Sequence, residues 1–413
     1  MTRLATFVAA IAFFLLPCIT VSAQHEAEVI HWWVSGGERA ALQTLIDTFQ
    51  ENGNKWIDTP VESSYYAKTA AISRILDGKP PTAVQWQAGV SLKELYSEGL
   101  FRNINELARK EQWRDVLPEA IWDGITVDGN IIAVPMTLHS SNWIWANKKI
   151  LDEVGIGIPK NWDDFLQYAP RIREAGYYPL ALGGQPWQER ALFLPVVLGV
   201  GGAKLYEDAL VHHKPEALQS PGMKKAFETF RSLQQFIDPE SPDRNWSDTT
   251  KLVIEGKAAF QIMGDWAKGE FFQAGMEPDK DFICAFSPGS EGAFIMVSDT
   301  FAMGNVTDEA MQQAQEKLAM TIMKKEVQSS FNLLKGSIPP RLDAPVTGFD
   351  KCARLAMTTV AVKGSTYPGF NMANNGIIAS AIMSVITKFW NTRDLSPDEA
   401  TRMLAEAVEK SKL

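Results

Sequence analysis

Strand, loop and helix alternate three times within roughly the first seventy residues after position 28, and this alternation constrains the fold more than any other feature. Val29-Ile30-His31-Trp32-Trp33-Val34 is an apolar and aromatic run that stops at Ser35-Gly36-Gly37-Glu38. Ala41, Leu42, Leu45, Ile46 and Phe49 then recur at helical intervals. Val61 opens a second, weaker strand, and Lys68 to Leu76 returns to helical spacing before the break Gly78-Lys79-Pro80-Pro81. Thr82 to Trp86 is a third strand with Gln85 and Gln87 at its end, followed by a helix from Leu92 to Glu98 that Gly99 stops. Such a pattern predicts an α/β chain whose sheet is mainly parallel, because each crossover needs a helix.

The chain has 413 residues, which suggests two domains. Two passages have the character of crossings between them. Ile131 to Asn147 is long and extended, with Pro135 inside it and His139, Ser140, Ser141 and Asn142 midway, after a turn expected at Asp128-Gly129-Asn130. Phe294 to Met303 is the second, interrupted by Ser298-Asp299. Later, Lys335-Gly336-Ser337-Ile338-Pro339-Pro340-Arg341 forms a rigid loop. Residues 190–238 are expected to be helices around a turn at Gly199 to Gly202, and the tail from Asp350 is helical with a loop from Lys363 to Gly376.

Met1 to Ala23 stands apart. Arg3 precedes a nearly unbroken apolar run from Leu4 to Leu16, and Val21-Ser22-Ala23 offers small residues for cleavage, so the segment is expected to be a secretory signal peptide. Pro17 interrupts it well before membrane length. The formal net charge of −9 disfavours nucleic acid and anionic membranes as partners. Beyond the signal, Cys284 and Cys352 remain in what would be an oxidising compartment. Cys284 sits in the apolar run Phe282 to Phe286, where a buried free thiol is ordinary, and the expectation is no bridge.

The stretch Gly256 to Trp266 points most directly at a site. Ala258 to Met263 is one buried strand, and Gly264-Asp265-Trp266 turns it into a helix, which places Trp266 at a strand's carboxyl end. Ligands in open α/β sheets bind at that end. Trp266 alone could equally be a core aromatic. However, other strand ends repeat the mixture: Trp32, Trp33 and Glu38; Gln85 and Gln87; His139, Ser141 and Asn142; Gln185 and Trp187; Asp299. Indole faces suit the C–H side of a pyranose, while amides and short acids suit its hydroxyls. An anion would instead call for clustered Arg or helix N-termini. The five His include no metal-spaced pair, no phosphate or dinucleotide loop is present, and no Gly-x-Ser-x-Gly elbow occurs. No metal or cofactor is expected.

On these motifs the chain resembles the extracellular solute-binding proteins of carbohydrate ABC importers, and within them the glucose-type periplasmic proteins. The motifs are Trp32-Trp33 with Glu38, Pro80-Pro81 before Gln85, and Ala133-Val134-Pro135 before His139. They continue with Gly256-Lys257-Ala258-Ala259-Phe260 and Met263-Gly264-Asp265-Trp266, Ser298-Asp299-Thr300-Phe301, and Leu334-Lys335-Gly336-Ser337-Ile338. The resemblance implies a two-lobe periplasmic-binding-protein fold of type II. Lobe 1 would comprise residues 24–137 and 297–342, and lobe 2 residues 138–296 and 343–413. Trp32 or Trp33 and Trp266 would sandwich a sugar ring, with Glu38, Gln85, Asp299 and Lys335 bonding hydroxyls and Gln87 and His139 as further substrate-binding candidates. It also implies a monomer in the periplasm that delivers a neutral mono- or oligosaccharide to inner-membrane ABC permease subunits, and no catalysis. Gln87 stands where the glucose subgroup tends to carry a His, and Tyr367 to Asn375 lacks another His expected there, so sugar is a safer expectation than glucose. The alternatives are a secreted carbohydrate-active enzyme, which must also position an acid and a base, and a polyamine- or metal-binding protein.

Overall fold

The computed structural model describes residues 25–412 except Asp243; the expected signal segment lies outside them. The strand Glu26–His31 buries Ala27, Val29, Ile30 and His31. The helix Gly36–Glu51 buries the apolar set its spacing predicts, and Ser35 caps it in a capping box closed by Glu38. The turn at Asp128-Gly129 forms, with φ of 48° and 76°, between Thr126–Val127 and Asn130–Ile131. Two readings shift. The second strand is Lys55–Pro60, ending before Val61, and it is the outermost strand of its sheet. Gly199 to Gly201 stay inside the long helix Pro186–Tyr206, and only Gly202 leaves helical geometry, with φ 72°.

Two main sheets organise the described residues. One has five strands in the order Lys55–Pro60, Glu26–His31, Ala83–Gln87, Asp299–Met303 and Ala133–Pro135. The other has four, in the order Phe282–Phe286, Trp143–Asn147, Ala258–Met263 and Tyr178–Ala181. Pairing is parallel where helical crossovers join neighbours. In each sheet a single strand runs against the rest: Asp299–Met303 in the first and Trp143–Asn147 in the second. Both follow a crossing. A chain that leaves one sheet at its carboxyl edge and enters the other at the corresponding edge must run away from that edge, so it pairs antiparallel with strands that run toward it. The result aligns Asp299 with Gln87 and Trp143 with Met263. Functional strand ends therefore meet at one level of the molecule.

The crossings are tied side by side. Met296 pairs with Ser140 and Val297 with His139 in antiparallel register. Leu138 and Ile338 exchange backbone hydrogen bonds of 3.0 and 3.1 Å. Three passages thus form one short ribbon, and His139 lies within it.

The tail is helical as read, with a short strand Thr366–Pro368 and a turn of helix Phe370–Ala373 inside the expected loop. The expectation of no disulfide is overturned: Cys284 and Cys352 are bonded, with Cα atoms 6.0 Å apart. Alternation along Phe282–Phe286 sends Cys284 to the same buried face as Phe282 and Phe286. The helix Lys351–Val360 brings Cys352 against that face, its cap Asp350 held 2.7 Å from the Lys268 ammonium. The bridge closes a separation of 68 residues, worth about 4 kcal/mol in the chain-entropy account. Cys352→Ala is expected to lower unfolding stability by about 2–4 kcal/mol, read as an earlier midpoint in denaturant titration. A wild-type midpoint indifferent to reductant would contradict a structural role for the bond.

Candidate functional site

At the level where the strand ends meet, a continuous chain of contacts runs from one lobe to the other. Trp266 packs back over Gly264, where a Cβ would lie 2.2 Å from the indole, so only glycine lets the ring fold there. The Trp266 ring meets His139 edge to face at 5.6 Å. His139 Nδ1 contacts the Asp265 carboxylate, whose other oxygen accepts the Ser140 N–H at 2.9 Å. That leaves His139 Nε2 toward Asp299, 3.7 Å away and with no hydrogen-bond partner among the described residues. Asp299 accepts from Gln87 Nε2 at 3.3 Å, and Gln87 Oε1 accepts from the Lys68 ammonium at 2.5 Å. Lys68 lies over the rings of Trp86 and Trp32, 4.6 and 5.5 Å from their centroids. Trp32 N–H donates to Gln85 Oε1 at 3.0 Å.

Burial sets the electrostatics. Asp299 has its pKa raised by desolvation, an effect that His139 and Lys335 oppose. Lys68 is half-buried, and burial pulls its pKa down to about 8, with Asp299 pulling back and Arg190 adding to the depression. Burial likewise lowers Arg190 to about 10. His31 is lowered by burial against the opposing effect of Asp58. Its Nδ1 accepts the Trp33 N–H at 3.2 Å and its Nε2 faces Asp58 at 2.8 Å, an arrangement that suits the neutral ring.

The sequence-derived candidates fall into distinct situations. Trp32, Gln87, His139, Trp266 and Asp299 join in the chain of contacts just described. Gln85 is buried beneath Trp32, with its Nε2 unpartnered. Glu38 accepts from the backbone N–H groups of Val34 and Ser35 and pairs with Lys335 at 3.3 Å, so both also hold the helix start and the loop after residue 334. Trp33 is a correction. It is 1% exposed and packs against Phe301 and Phe331 at 5.6 and 4.9 Å, a core aromatic of lobe 1. Gln185 accepts from Trp187 and Gln188. Sequence reasoning missed Lys68, Arg190 and Glu270, which all lie on helices rather than at strand ends. A surface hollow of about 500 Å³ between His25, Lys110 and Lys317 shares no residue with this cluster.

The two lobes also touch directly. Gly37, at the start of the helix Gly36–Glu51, donates its N–H to Glu270 Oε1 at 2.9 Å. A carboxylate from the second lobe thus caps a helix of the first. A Cβ at Gly37 would lie 2.7 Å from the Gly269 carbonyl carbon.

Strand ends and helix starts from two α/β lobes, converging at one level beside three paired crossings, fit a two-lobe solute-binding protein. A family description, bacterial extracellular solute-binding protein, matches residues 34–316, and the chain belongs to that family. The family binds solutes rather than transforming them, which removes the secreted-enzyme alternative. A probable sugar-binding periplasmic protein of Brucella suis is 38% identical over 96% of this chain and 95% of its own length. Its counterpart in Rhizobium meliloti is 37% identical over 98% of each chain. Among solved structures, a chitin oligosaccharide binding protein superposes with a TM-score of 0.83 at 16% identity, covering 94% of this chain and 99% of its own. The bacterial solute receptor AcbH does so with 0.80 at 17% identity, covering 94% and 98%. Both likenesses speak to the fold.

Gly37→Ala places a methyl group against the Gly269 backbone where the lobes meet. It is expected to lower the melting temperature slightly, because that backbone must give way, and to weaken solute affinity about tenfold, a cost of about 1.4 kcal/mol. Calorimetry with the tightest-binding sugar reads this. Unchanged affinity would mean that the Gly37–Glu270 contact is no part of the bound state.

Proposed function

We propose that this protein is the periplasmic sugar receptor of an ABC importer, secreted through a cleaved signal peptide and acting as a monomer. The observation that carries the reading is the unbroken path from Trp266 through His139, Asp299 and Gln87 to Trp32, which joins indole faces and hydrogen-bonding groups of both lobes. A pyranose ring would lie against Trp266 and Trp32, its hydroxyls bonded by Glu38, Gln85, Gln87, His139, Asp299 and Lys335. His139 is well suited, because Asp265 fixes its ring and leaves Nε2 free to bond. The sugar names carried by the Brucella and Rhizobium relatives agree with this.

The mechanism is capture by closure. Residues 24–137 with 297–342 and residues 138–296 with 343–413 would move as two bodies about the ribbon of crossings. A sugar bonded to both favours the closed arrangement by its differential affinity. The closed surface then docks on permease subunits in the inner membrane, which supply the energy for import.

Calorimetry of the mature protein against a panel of monosaccharides and short oligosaccharides, with X-ray scattering to follow compaction, tests the reading. Micromolar or tighter binding with a shrinking radius of gyration is expected for at least one sugar. Trp266→Ala is expected to weaken that binding about a hundredfold, or about 2.7 kcal/mol, with cooperative unfolding intact. No binding across the panel would refute the proposal.

A further inference from the structure

Two basic groups beside this cluster stand apart from the rest. The other buried or half-buried basic groups nearby are matched: Lys335 by Glu38, Lys268 by Asp350, Arg244 by Asp238. Lys68 and Arg190 form no ion pair among the described residues. The neighbours of the Lys68 ammonium are the Gln87 carbonyl oxygen and two indole faces. The Arg190 guanidinium lies 4.4 Å over the Phe370 ring and donates through Nη1 to Asn371 at 3.1 Å, while its Nε is buried without a partner. Asp299, the carboxylate whose field reaches Lys68, lies beyond the Gln87 amide that bonds both.

The two cations come from different lobes and face the same flank. Lys68 is bonded to Gln87, two residues before Gly89. Gly89 in turn lies against Met372, where a Cβ would sit 2.4 Å from the Met372 carbonyl oxygen, and Met372 follows Asn371, the partner of Arg190. Bringing these lobes together therefore brings two like charges together while removing water from both, which is unfavourable unless an anion joins them. Burial lowers the pKa of both groups, with Asp299 opposing the shift at Lys68 and Tyr206 opposing it at Arg190. On the opposite side, Glu38 pairs with Lys335, and Asp265 and Asp299 flank the His139 ring.

We infer that the sugar carries one anionic substituent, a carboxylate or a phosphate, seated between Lys68 of one lobe and Arg190 of the other. This rests on the sugar-receptor reading and replaces the expectation of a neutral ligand. Strand ends show no clustered Arg because these cations sit on the helices Ser64–Leu76 and Pro186–Tyr206. Arg supplies a planar fork for carboxylate or phosphate oxygens, and Lys a point charge.

The test compares matched pairs on the wild-type protein by calorimetry: glucose with glucuronate and with glucose 6-phosphate, and galactose with galacturonate. At least one anionic member is expected to bind about tenfold or more tightly than its neutral parent. The uronate and phosphate arms tell carboxylate from phosphate. Lys68→Met and Arg190→Met are each expected to erase most of that preference. The wild-type comparison stands whether or not the variants fold. If neutral parents bind as well as or better than their anionic partners, the inference is overturned and the receptor reading survives. If neither neutral nor anionic sugars bind, both fall.

Discussion

The Asp265 carboxylate holds the site together. One oxygen engages His139 Nδ1 and the other accepts the Ser140 N–H. Asp265 belongs to the turn that ends a lobe 2 strand, whereas His139 and Ser140 belong to the ribbon of crossings. A single buried acid thus fixes the ring of His139, the place of Trp266 beside it, and the junction between a lobe and its hinge. An acid buried this deeply is tolerable because its lone pairs are met by a ring N–H and a backbone N–H. Exchanging it for an apolar residue would strand both donors, a cost that repacking cannot recover.

That carboxylate can serve hinge and cleft together because of strand direction. In each sheet the strand that follows a crossing runs opposite to the rest, so its first residue lies beside the last residues of its neighbours. Asp299 therefore arrives opposite Gln87 without any loop to place it. The geometry of the crossing, not a dedicated binding loop, brings side chains from distant parts of the chain within hydrogen-bond reach. Sites built on strand ends in this way are held by the sheet ladder itself.

Strand ends were legible in the sequence because glycine and proline punctuate them: Ser35-Gly36-Gly37, Ala88-Gly89 and Gly264 mark where the chain must turn. The strand Lys55–Pro60 was not, because an edge strand needs little burial: only Trp56 of its residues is buried, and Lys, Asp and Pro break the apolar pattern. Trp32 and Trp33 show a subtler limit. Adjacent residues in extended chain point to opposite sides, so one indole of the pair must enter the core, but the pattern cannot say which. Phe301 and Phe331, far along the chain, decide it for Trp33. The Cys284–Cys352 bond is invisible for the same reason: alternation says which way Cys284 faces, not which helix covers that face.

Charge that spans two lobes is the least legible property of all, and it bears most on selectivity. Glu270 bonds the Gly37 N–H across the lobes, and Gly89 lies against Met372 in the same way. These contacts favour closure by a fixed amount. On the inference of an anionic substituent, Lys68 and Arg190 would oppose it by an amount that depends on what lies between them. A ligand shifts a two-state equilibrium only by its differential affinity for the two states. Unmatched cations on facing lobes would turn that rule into a filter: a sugar that left them unneutralised would lose part of its binding energy to their repulsion, while one that neutralised them would gain the closure the other contacts favour. Selectivity is then set less by the number of hydrogen bonds around the ring than by the one charge that allows the lobes to meet.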